Sequence, residues 1–314
     1  MPRKDSIMGA ASRRSWWGVR RLWLAVAVGA GMALVASGVA VASPGNGASE
    51  FAPGHGGTPP GHGGTPPGHA MIGQFDKVPA PPLDGAELAV DQAKQATAQA
   101  AVARAALTRA APASMILGVP LYQQPNGYTC GPTTLAMMTT YLGIGYGGTV
   151  ANQVSLAGWD LGTTTDGTAW YGADHVPSYP NSSWYPMQDA LNWRLYAIKG
   201  GWAWYSTFAL TYTPNDNYAS TYMNDLLFDI TRGWPIAANE YAIPGYQIGG
   251  QPYSSSTIMH WVAVVGYADS GWTTYFNDPA PWPVATQRHA PSWISGGNHA
   301  GSVVEAVGGR GWVW

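Results

Sequence analysis

Hydrophobic positions change their spacing along this chain, and the change divides it. In "PTTLAMMTTYLG", residues 132 to 143, Leu135, Met138 and Leu142 recur at helical spacing. Pro132 takes the first helical position and Gly143 closes the segment. "PMQDALNWRLYA" (186 to 197) and "ASTYMNDLLFDITRG" (219 to 233) predict two further helices, the second ended by Gly233. The period then shortens. "WPIAANEYAI", "HWVAVVGYA" and "WTTYFNDPA" are short β-rich runs separated by turns, and "MILGVPLYQQ" predicts a short entering strand upstream. Helices followed by strands between residues 115 and 314 predict a single α+β domain, long enough to bury a substantial core.

Upstream of that domain the pattern falls into three zones. Residues 11 to 42 carry four arginines, an unbroken apolar stretch and Ala40-Val41-Ala42 as a small-residue cleavage site, the layout of an export signal at residues 1 to 42. "SRRSWW" resembles a twin-arginine signal. Left uncleaved, the apolar run is long enough to anchor the chain in a membrane. Residues 43 to 84 form a linker whose "PGHGGTP" repeat sets His55, His62 and His69 in register; Pro and Gly at this density build no core, and no metal site is assigned to the histidines. Residues 85 to 114 are Ala-rich with high helix propensity. Their apolar stripe is weak, which favours a stalk over a loosely docked pro-segment.

Charge narrows the function classes. From Met115 onward five basic residues face 11 acidic ones, so nucleic-acid binding has no electrostatic footprint. No His-Glu-x-x-His or paired-Cys spacing supports a metal centre, no cofactor is implied, and no Gly-x-Ser-x-Gly elbow supports serine chemistry. One cysteine, Cys130, rules out an intramolecular disulfide.

That cysteine stands just before a predicted helix. There the unpaired N–H groups of the first turn and the positive end of the macrodipole favour thiolate over thiol. A nucleophilic thiolate also needs a base, and the base a partner. "HWVAVVGYADSGWTTYFND" offers both. Antiparallel partners are numbered symmetrically about their turn; His260 and Asp278 are symmetric about Asp269, in "ADSG", which predicts them as cross-strand neighbours within a residue or two. His175, His289 and His299 are rivals as base, but none begins a hydrophobic strand with a carboxylate opposite.

The ordered set "VPLYQQPNGYTCGPTTLAMMTTYLG", "HWVAVVGY" and "FNDPA" resembles stand-alone relatives of the double-glycine leader peptidases, family thirty-nine of the cysteine peptidases, in the papain-like superfamily. The resemblance spans about residues 117 to 280 and implies a papain-like fold, with the cysteine-bearing helix packed on an antiparallel sheet. It also implies roles: Cys130 as nucleophile, His260 as base, Asp278 as the residue orienting His260, and Gln124 as an oxyanion-hole donor with the backbone N–H of Cys130. Gln123 is the rival to Gln124. Double-glycine specificity is not carried over, because no transporter accompanies the domain.

The expectation is therefore an exported cysteine peptidase, secreted or associated with the cell wall, acting on a peptide or cell-wall peptide. Two alternatives stay open: an amidase or transpeptidase on the same fold, and a non-catalytic module whose Trp- and Tyr-rich segment, including "DGTAWYGADHVPSYPNSSWY", binds wall glycan or peptide.

Overall fold

The structure is a computed structural model that describes residues 85–108, 111–172, 183–201, 203–210, 214–295 and 299–314. The expected export signal, the His-containing linker and His175 lie outside the described residues.

A seven-stranded antiparallel sheet organises the domain. Its strands are β1 (Met115–Ile116), β2 (Thr207–Ala209), β3 (Ile236–Ala242), β4 (Ile258–Ala268), β5 (Thr273–Asp278), β6 (Thr286–Pro291) and β7 (Gly311–Val313), in the order β2-β7-β3-β4-β5-β6. β1 pairs with β4 at Gly266 and Tyr267, on the side that β3 leaves after Val264. β4 is central and almost wholly buried, and its run of Trp, Val and Ala packs elements on both faces.

The helices are α1 (Gly85–Thr108), α2 (Cys130–Tyr141), α3 (Val150–Asp160), α4 (Pro186–Lys199), α5 (Asp216–Ile230) and the short α6 (Val303–Ala306). The architecture is thus α+β, with α2 packed on β4 and against α3 and α4. All residues of α2 from Cys130 to Thr139 are buried, which places this helix inside the protein. It starts two residues earlier than Pro132 suggests, so Cys130 is itself the first helical residue. It ends as expected: Gly143 adopts φ 71°, and Gly143 and Ile144 return their N–H groups to the carbonyls of Thr140 and Thr139.

The Ala-rich helix, expected as a stalk or a loosely docked pro-segment, is docked. α1 lies against α5. Its packed stripe is Asp91, Lys94, Gln95 and Ala98, four positions at helical spacing of which three are polar, so no apolar stripe marked it. Gln95 Nε2 donates to Asp225 Oδ2 at 3.0 Å, a carboxylate that also accepts from Trp312 Nε1 at 2.8 Å. Ser206 Oγ donates to Asp91 Oδ1 at 3.0 Å. The ammonium of Lys94 lies 3.6 Å from Asp229 Oδ2 and 4.1 Å over the ring of Trp314. Burial raises Asp91 and Asp229 to about 6 each, held back by these hydrogen bonds and by Lys94. Docked this way, α1 covers Trp314, which is fully buried. A chain beginning at Ala111 is expected to lose on the order of 2–3 kcal/mol of unfolding free energy relative to one beginning at Gly85, measured by urea denaturation. Faster alkylation of Cys130 in the shorter chain would instead mark α1 as an inhibitory segment.

Candidate active site

Cys130 is held at the start of α2 by features local to the sequence. Thr133 N–H bonds to Thr129 O and Pro132 has no N–H, so the first-turn donors not used within the helix are those of Cys130 and Gly131. The glycine is required by crowding: a Cβ at position 131 would sit 2.3 Å from Thr168 Oγ1 and 2.7 Å from Thr168 Cβ. The loop after α3 therefore closes directly over the "CGP" turn.

His260 and Asp278 reach this point from adjacent strands. Ala263 pairs with Asn277, and continuing by one residue sets Asp278 opposite Val262, two positions from His260 on the same face. The two-residue offset from strict symmetry has a visible cause. The turn is a three-residue 3-10 segment, Asp269–Gly271, with left-handed Asp269 and Ser270, and β4 carries a bulge between Val264 and Gly266. The diagonal neighbours still meet: His260 Nε2 lies 2.8 Å from Asp278 Oδ1. The other ring nitrogen, Nδ1, is then the one left for Cys130, whose sulfur and this imidazole shift each other's ionisation.

The electrostatics follow from this chain of contacts. Burial pushes the Cys130 thiol up, but the hydrogen bond and charge of His260, with backbone N–H groups of Trp261 and Gly131, outweigh it and lower its pKa. Burial opposes the imidazolium as well, yet Asp278 and Cys130 hold His260 well above the usual imidazole value. Asp278 is fully buried and still depressed below the carboxylate range, since burial is overcome by His260, the Ala280 N–H and Arg288. Among these residues the geometry favours a thiolate and an imidazolium at neutral pH.

Gln124 is buried and Gln123 exposed, which separates the two candidates. Gln124 N–H bonds to Pro279 O at 2.9 Å, tying its loop to the residue after Asp278. Its Nε2 gives one proton to Asn126 O at 2.8 Å and keeps the other. Gln123 instead braces the far loop, accepting from Ala285 N–H through Oε1. The rival histidines are engaged elsewhere: His289 packs on Tyr275, and His299 Nδ1 bonds to Ile294 O with its ring stacked on Trp293.

Comparison with known proteins bears on this geometry. A family model, the Peptidase_C39 like family, matches residues 116–298, more than half of the chain. The chain belongs to the Peptidase_C39 like family. The matched span begins in β1 and contains Gln124, Cys130, His260 and Asp278. A crystal structure of a protein from Bacillus anthracis assigned as a C39-like peptidase resembles this C39-like chain with a TM-score of 0.34 and 17% identity, covering 64% of this chain and 96% of that one. No curated protein matches the chain.

Several members of the site carry no mark in the sequence. Asp278 Oδ2 accepts from Arg288 Nε at 3.2 Å and lies 3.4 Å from Gln251 Nε2. Gln251 Nε2 also reaches Glu240 Oε2 at 3.1 Å, and Glu240 is the direct cross-strand partner of His260. Trp282 lies over the imidazole, with ring centroids 5.3 Å apart. Among the described residues no group of three or more His, Cys, Asp or Glu is placed to hold a metal ion.

Two outcomes are expected. Alkylation of Cys130, followed by intact mass, should be rapid below pH 7, and in His260→Ala its profile should move to that of an ordinary thiol near about 8.5. Gly131→Ala should cost about 2 kcal/mol or more of stability by overpacking against Thr168, read from urea unfolding.

Proposed function

We propose that the protein is an exported cysteine peptidase that cleaves peptides through an acyl-enzyme at Cys130. The observation that carries this reading is the 2.8 Å contact of His260 Nε2 with Asp278, with Cys130 at a helix start close enough to bias the imidazole's charge. Membership in the family supports it.

In this reaction the Cys130 thiolate attacks the scissile carbonyl carbon, forming a C–S bond and placing negative charge on the carbonyl oxygen. The free proton of Gln124 Nε2 and the backbone N–H of Cys130 receive that oxyanion. The imidazolium of His260 gives its proton to the leaving amine as the C–N bond breaks. The neutral imidazole then takes a proton from water, whose oxygen attacks the thioester carbon; the C–S bond breaks, releasing the acid and restoring the Cys130 thiolate beside the imidazolium. Asp278 holds the ring in position throughout and stabilises its charged form, while Trp282 limits water around it.

Residues 1 to 42 would carry the enzyme out of the cytoplasm, an assignment supported by the arginines, the apolar run and the Ala40-Val41-Ala42 site. The acidic balance of the domain favours neutral or weakly cationic peptides, including those of the cell wall.

Turnover of a quenched-fluorescence peptide library should fall at least about 1,000-fold in Cys130→Ala. Gln124→Ala should lower kcat about 100-fold with little change in KM, because its contact forms with the oxyanion and not with the bound ground state. Equal turnover by Cys130→Ala would overturn the mechanism.

A further inference from the structure

Glu240 has no part in the reaction as derived above, yet it is fully buried beside the reacting pair. A carboxyl with no exposure, in the middle of a sheet, is costly unless something uses it. It sits on β3 directly opposite His260 on β4. Its Oε1 accepts from Ile248 N–H at 2.9 Å and its Oε2 from Gln251 Nε2 at 3.1 Å. The same Gln251 amide nitrogen is 3.4 Å from Asp278 Oδ2, so one side chain joins two carboxyl groups that flank one imidazole.

The charged groups around it are few. His260 faces it from β4 and Asp278 from β5, with Arg288 of β6 paired to Asp278 and Cys130 beyond the imidazole at the start of α2. On the far side β7 brings Arg310 close in sequence to the pairing partner of Asn239, but its guanidinium lies 4.7 Å over the Tyr241 ring. Glu305 of α6 faces His299. Glu240 therefore acts on His260 and Asp278 before anything else.

We propose that Glu240 is a positioning residue that sets the upper pH limit of the charged Cys130–His260 pair, acting on His260 across the strands and on Asp278 through Gln251. This rests on the thiolate–imidazolium reading given above. When Glu240 is ionised it holds the proton on His260 more tightly; when protonated it leaves only the hydrogen-bonded frame. Burial, tempered by His260 and by the Ile248 and Gln251 donors, raises its pKa to about 7, so the change falls in the neutral range. The glutamine of Glu240→Gln reproduces the protonated form in size and acceptor, without the charge.

The test is the protonation of His260, followed by ring ¹⁵N NMR against pH in the full chain, alongside the iodoacetamide rate of Cys130. In Glu240→Gln the acid step of the alkylation profile should stay where it is, because Glu240 is already neutral there. The alkaline loss of the imidazolium proton should move down by about one pH unit or more. A residue that served packing alone would lower rates without moving the alkaline midpoint, and that result overturns the proposal. In the unsubstituted protein the His260 signals should carry an additional inflection near 7 as Glu240 ionises; a titration without it overturns the proposal without any variant. If the unsubstituted protein shows no imidazolium at neutral pH, the Cys130–His260 reading itself fails, a result distinct from either of these.

Discussion

A carboxylate shut away from water keeps its charge only when its oxygens are filled with donors, and Asp278 meets that condition on both sides. Oδ1 accepts from His260 Nε2 and from Ala280 N–H at 3.0 Å; Oδ2 accepts from Arg288 Nε and lies within reach of Gln251. Each donor arrives from a different segment, so the charge on one residue gathers β4, β6, the loop before β4 and the turn after β5 around the imidazole. Arg288 extends the arrangement, since its guanidinium also bonds to the carbonyls of Gly250 and Trp282. Filling Asp278 therefore fixes the indole against His260 and the loop behind Glu240 together. The depressed carboxyl, the raised imidazole and the lowered thiol are successive consequences of one satisfied buried charge.

How much of this could be read beforehand depended on distance along the chain. The cysteine helix was legible because Pro132, the 3.6-residue pattern and Gly143 lie within a dozen positions. The His260–Asp278 pair was legible because a hairpin makes numbering a proxy for space; the bulge and the 3-10 turn displaced the register by two, which the long side chains span. Glu240, Gln251 and Arg288 were not legible. β3, the following loop and β6 converge only once the whole sheet is ordered, and nothing in "NEY" or "TQRHAP" marks a neighbour of the site. β2 and β7 escaped notice for the same reason, being three-residue strands recruited by pairing across about 100 positions. α3 hid in the aromatic stretch, its burial resting on Val154 and Ala157 with polar Gln153 and Asp160.

α1 shows a different limit of pattern reading. Amphipathicity assumes that the packed face is apolar, and here it is polar and matched. Asp91, Lys94 and Gln95 each find partners on α5, the Trp204–Ser206 segment or the C-terminal tryptophans. Such an interface gains little from the hydrophobic effect and much from specific pairing, so its register on α5 is defined more sharply than an alanine-rich helix would otherwise allow.

The isolation of Cys130 gives the protein a property separate from its chemistry. In a chain with one sulfhydryl, every thiol equivalent counted in solution belongs to Cys130, the proposed nucleophile. Thiol stoichiometry is therefore a census of intact centres, with no background from structural cysteines to subtract. On the proposed mechanism, any oxidised fraction of a preparation is, molecule for molecule, its silent fraction, and specific activity can be normalised to working molecules and not to mass.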